Sequence, residues 1–111
     1  MDELTRLRCR PLGPEAAMTA PQIEAHLARV AGWAVADGRL SKLFTFADFH
    51  HTMAFVNAVA WIAHAQDHHP DLAVGYGACK VAFSTHSAGG ITLNDFICAA
   101  RIDALRDDAA A

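Results

Sequence analysis

The chain has 111 residues, enough for one compact domain, and 53% of them are hydrophobic against 19% charged, which supports a packed core and excludes extended disorder. A formal net charge of -3 with a pI near 6.1 gives no cationic footprint for nucleic acid, and no stretch is long and uncharged enough to span a bilayer. Cys9, Cys79 and Cys98 have no CxxC spacing, so neither a disulfide framework nor a thiolate zinc site follows, and a cytoplasmic location is expected.

Residues 1–18 carry Pro11, Gly13 and Pro14 among polar and small residues without helical or strand period, and read as a loosely ordered lead-in. Asp2, Glu3 and the arginines of Met1–Arg10 are unlike the apolar stretch of a secretory signal. One domain is expected over residues 19–106, with residues 107–111 as a frayed tail. Thr19, with Gln22 beyond it, caps a predicted helix in which Ile23, Leu27 and Val30 recur until Gly32 stops the pattern. Trp33 and Val35 then alternate, Asp37-Gly38 signals a tight turn, and an extended pattern resumes from Leu40 to Phe46, which predicts a β-hairpin.

Thr45 with Asp48 is expected to cap a long helix with two apolar stripes, Phe49, Met53, Val56, Ala60 and Ala63 on one and Phe55, Val59 and Ile62 on the other. Two stripes call for two partners, the sheet and a neighbouring subunit. Pro70 ends this helix near Asp67 or His68. Leu72, Val74 and Tyr76 alternate, Gly77-Ala78 turns, and Val81 and Phe83 form a returning strand. After Gly89-Gly90, read as a flexible loop in the absence of a phosphate-binding pattern, Thr92 with Asp95 caps a closing helix carrying Leu93, Phe96, Ile97, Ala100 and Ala104. The resulting order is αββαββα, a single α+β domain.

Histidine titrates near neutrality, so the cluster at the end of the long helix is the main chemical feature. His64 and His68 are four apart and are expected on one helical face, while His69 is driven out of helical geometry by Pro70. His86 follows Ala82 and Ser84 in strand phase and can meet the helix end, whose partial negative charge favours an imidazolium. Three readings stay open: acid/base groups, structural histidines, or a metal site in which His69 or His86 completes the His64/His68 pair. His26, His50 and His51 show no convergence. Asp95 reads first as the helix-capping partner of Thr92 and second as a group orienting a histidine. Trp33, Trp61 and Tyr76 read as core or interface residues.

Asp67-His68-His69-Pro70-Asp71, then Tyr76, Thr85-His86, Gly89-Gly90-Ile91-Thr92, Asp95 and Ile102-Asp103 resemble the pterin-4a-carbinolamine dehydratase family in order and spacing, as do Gly32-Trp33 and Phe44-Thr45-Phe46-Ala47-Asp48-Phe49. The resemblance spans about Thr19 to Leu105. It implies a four-stranded antiparallel sheet with helices on one face, assembled as a homodimer or homotetramer. It also implies dehydration of a 4a-hydroxytetrahydropterin to quinonoid dihydropterin, the recycling step after an aromatic amino acid hydroxylase, with neither metal nor cofactor. His68, His69 and His86 match the family's active-site histidines, and Asp67, Asp95, His64 and Pro70 are the associated binding and orienting candidates. Two departures stand out. His64 occupies a position where relatives usually carry a carboxylate, and the turn after Tyr76 is Gly77-Ala78-Cys79. Relatives of this fold also act as non-catalytic dimerisation cofactors or assembly chaperones, which is the competing expectation.

Overall fold

The computed structural model describes residues 3–106, so the expected C-terminal tail and the first two residues of the lead-in lie outside it. Helices α1 (Ala20–Leu27), α2 (Phe49–Gln66) and α3 (Leu93–Ala104) alternate with strands β1 (Ala34–Ala36), β2 (Arg39–Thr45), β3 (Asp71–Val74) and β4 (Ala78–Phe83). This is the αββαββα order read from the sequence. The strands form one antiparallel sheet in the order β1-β2-β4-β3.

Alternation along the two central strands decides which face is covered. Leu40, Phe44, Cys79, Val81 and Phe83 are at most 4% exposed, whereas Leu43, on the opposite face, is 60% exposed. The helices pack on the first of these faces. Phe55 of α2 meets Phe44 at 4.6 Å between ring centroids, and Val59, Phe96 and Ile97 join the same core. Asp37 and Gly38 both take positive φ, 54° and 74°, as the β1–β2 turn requires of its two central residues. Trp33 Nε1 and Lys42 Nζ both donate to Asp103, which fastens that hairpin to α3.

Several local expectations need correction. The lead-in is packed rather than loose. Leu4 is fully buried, Cys9 N–H donates to Gln66, Arg10 exchanges hydrogen bonds with Asn94, and Arg101 donates to the Leu7 carbonyl. Its order comes from long-range partners on α2 and α3, which local composition does not reveal. α1 stops at Leu27, and the chain turns through Val30 to Gly32, whose φ is 86°. Asp48 itself caps α2, accepting from His51 N–H. α2 buries Thr52, Phe55, Val59, Ala63 and Gln66, so the second stripe and the end of the first face the core, while Phe49 and Trp61 stay 49% and 70% exposed. β3 ends at Val74, leaving Tyr76 in the exposed turn.

Candidate active site

The end of α2 is set by Asp67, which adopts left-handed backbone at φ 51° and caps the helix through its N–H to the Ala63 and His64 carbonyls. Aspartate tolerates this conformation better than most residues. The consequence is a sharp turn that redirects His68. The shared helical face expected for His64 and His68 is therefore not formed: His64 remains on exposed α2 surface with its ring 6.2 Å from that of Trp61, while His68 folds under the helix end.

His68 Nε2 lies 2.6 Å from Asp95 Oδ1, and its ring stacks on Phe83 at 5.6 Å with an 8° tilt. Asp95 is fully buried at the start of α3, where its other oxygen accepts from Thr92 N–H at 2.8 Å and from the Thr85 hydroxyl at 2.9 Å. The Thr92 side chain accepts from Asn94 N–H, and the two threonine hydroxyls are 2.7 Å apart. Asp95 thus bridges two elements. It closes the capping box of α3 and fixes one nitrogen of His68, leaving the ring's Nδ1 with no hydrogen-bond partner among the described residues.

Burial by itself lowers the His68 pKa, but the hydrogen bond to Asp95 and that carboxylate's charge outweigh it, so the net shift is upward. A histidine raised in the folded state adds stability that is fully present below its unfolded pKa of about 6.5 and is lost as pH rises through the higher folded value. The expected result is an NMR titration midpoint for His68 above about 6.5. The stability gap between the native chain and His68→Gln, read in urea, should then narrow as pH rises through that midpoint. A midpoint at or below the ordinary value overturns the assignment.

A cavity of about 210 Å³ opens beside this pair, lined by Cys9, Arg10, Pro11, Leu12, Gln66, Asp67, His68, Thr85, Ser87 and Asn94. The N-terminal segment forms one wall, pinned by Ser87 Oγ donating to the Leu12 carbonyl at 2.6 Å. The structure therefore brings Asp67, His68 and Asp95 together. His86 sits between two lining residues in a short 3-10 turn, His86–Ala88, and is exposed; His69 is exposed, Pro70 is half-buried, and none of these three lines the cavity. Among the described residues no group of three His, Cys, Asp or Glu side chains is arranged to hold a metal, so the His64, His68 and His86 trio is not assembled. Sequence reasoning missed Thr85 as the donor to Asp95 and Cys9–Leu12 as a wall. The first stood in the Thr85-His86 motif; the second had a faint signal in Leu7 and Cys9 alternating with Arg6, Arg8 and Arg10.

The family model described as pterin 4 alpha carbinolamine dehydratase matches residues 16–105. A Nitrosomonas europaea protein provisionally named pterin-4-alpha-carbinolamine dehydratase is 45% identical over 105 residues, 93% of either chain. The crystal structure titled as a transcriptional coactivator/pterin dehydratase from Brucella melitensis matches with a TM-score of 0.77 and 28% identity over 80% of this chain and 97% of that one. A pterin dehydratase-like protein, titled as a RuBisCO assembly factor in the alpha-carboxysome, matches with a TM-score of 0.55 and 26% identity over 66% of this chain and 84% of that one.

Proposed function

The chain belongs to the pterin 4 alpha carbinolamine dehydratase family, and on that premise we propose that it dehydrates a 4a-hydroxytetrahydropterin to quinonoid dihydropterin by histidine acid/base catalysis. The observation that carries this reading is His68, held by the buried Asp95 and lining a cavity at the end of α2. The reaction needs a proton delivered to the departing 4a-hydroxyl and a proton removed from N5. An imidazolium held by Asp95 through Nε2 presents Nδ1–H as the donor. The Asp95 carboxylate keeps that form populated nearer neutrality.

In this mechanism His68 and His86 handle the protons around the 4a-hydroxyl, and His69 holds and polarises the pterin. Asp95 is a positioning residue acting through His68. Asp67 contributes its backbone turn and a wall of the cavity, and Pro70 ends the helix. His86→Ala is expected to leave the far-ultraviolet circular dichroism unchanged and to cut turnover by about a hundredfold. Stopped-flow loss of freshly generated 4a-hydroxytetrahydropterin, set against the uncatalysed rate, measures it; an unchanged rate removes His86 from the mechanism. A wild-type rate no faster than the uncatalysed one removes the proposed activity altogether.

The same reading includes a cytoplasmic homodimer or homotetramer serving an aromatic amino acid hydroxylase. The exposed Phe49 and Trp61 on α2 support a covered face in the assembly. They equally support the second reading, a protein-binding module, since one similar solved structure is titled as a transcriptional coactivator/pterin dehydratase and another as a pterin dehydratase-like assembly factor. The His68–Asp95 pair favours the enzyme.

A further inference from the structure

Cys9 and Cys98 are 89 positions apart in sequence, yet their sulfurs lie 3.6 Å from each other beside the cavity. We propose that this pair is an oxidation site: a hydroperoxide entering the cavity converts the two thiols to a Cys9–Cys98 disulfide. The geometry separates the roles of the two sulfurs. Cys9 is half-buried and lines the cavity, so a small oxidant reaches it from solvent, whereas Cys98 is fully buried in α3 behind it. Cys9 is the attacking sulfur, and Cys98 resolves the product.

The local polar groups fit this division. As a thiol, Cys9 donates to the Asn94 carbonyl; as a thiolate, it accepts from the Cys98 S–H. That second hydrogen bond, followed by the nearby His68 charge, lowers the Cys9 pKa against the opposing effect of burial, while the same contact raises Cys98. Cys79 offers the internal contrast. It is fully buried on the inner face of β4, and burial raises its pKa.

In the first step the Cys9 thiolate attacks the terminal peroxide oxygen, an S–O bond forms, the O–O bond breaks, and the departing oxygen takes a proton to leave as water or alcohol. In the second, the Cys98 sulfur attacks the Cys9 sulfenic acid, the S–S bond forms, and the hydroxyl leaves as water with the Cys98 proton. Two electrons pass from the thiols to one peroxide. A disulfide requires about 2.05 Å between sulfurs, so the pair must close by about 1.5 Å from 3.6 Å. The Cys9 backbone is held by Gln66, which leaves side-chain rotation as the means of closure.

Closure removes a group whose charge, when Cys9 is ionised, helps raise the His68 pKa. Oxidation therefore changes the candidate acid without touching it. The test is intact-mass spectrometry of the full chain before and after one equivalent of hydrogen peroxide. The expected product has lost two hydrogens, reverts with dithiothreitol, and yields a proteolytic fragment linking Cys9 to Cys98. Cys98→Ser should arrest at a Cys9 sulfenic acid trapped by dimedone, and Cys9→Ser should not react. In the oxidised protein the His68 NMR titration should move to lower pH. An unchanged wild-type mass, a bond through Cys79 or a linkage between chains overturns the proposal, and the wild-type result stands whether or not either variant folds. None of these readouts depends on pterin turnover, so the oxidation site and the dehydratase reading can fail separately.

Discussion

His68→Ala is expected to cut turnover of 4a-hydroxytetrahydropterin by about 10²- to 10⁴-fold, the range for a positioned general acid or base. The loss should fall on kcat, because the imidazole's contribution is greatest where the C–O bond is breaking. Folding should survive. Asp95 keeps Thr92 N–H and the Thr85 hydroxyl as donors, so the variant loses one charge-assisted hydrogen bond and the Phe83 stack, about 1.5–3 kcal/mol. Removing the ring also enlarges a cavity of about 210 Å³, so millimolar free imidazole should restore part of the rate. Stopped-flow turnover with and without imidazole, beside circular dichroism, reads both effects. Native turnover in a folded His68→Ala protein ends the acid/base assignment.

Asp95→Ala is expected to lower the free energy of unfolding by about 3 kcal/mol. It orphans three donors at once: His68, the Thr85 hydroxyl and Thr92 N–H, the last of these at the N-cap of α3. α3 carries the largest share of the core, with Phe96, Ile97, Cys98, Ala99 and Ile102 all at most 1% exposed, so weakening its start weakens the whole domain. Urea unfolding measures the change. Asp95→Asn separates positioning from stability. Its amide oxygen can still serve the threonine side, but its NH₂ faces His68 Nε2 and forces that nitrogen to accept. That variant should keep most of the stability, drop the His68 titration midpoint and lose turnover. An Asp95→Ala chain as stable as the native one would show that the network contributes little.

The His68–Asp95 contact shows how far the sequence reaches. Thr92 and Asp95 are three apart before an apolar helical run, and that spacing alone identifies a capping box, because the partners are neighbours on the chain. The second ligand of the same carboxylate is 27 positions away. It becomes legible only through the resemblance carried by Asp67-His68-His69-Pro70, since no local periodicity connects the end of α2 to the start of α3. The case of His64 runs the other way. Its spacing from His68 was correct for one helical face, but Asp67 leaves the helix and sends the two rings to different surroundings.

The order of helices and strands, the β1–β2 turn at Asp37-Gly38, the end of α2 before Pro70 and the caps at Thr19 and Thr92 follow from the sequence alone. Each depends on the conformational preferences of residues within about one helical turn. Tertiary structure alone decided that Leu4 and Cys9 belong to the core and cavity wall, that Thr85 completes the Asp95 network, and that Cys9 meets Cys98. These contacts join segments far apart in the chain. Their energy comes from burial and hydrogen bonding in the folded state rather than from local backbone preference, so they leave little trace in the spacing of residues.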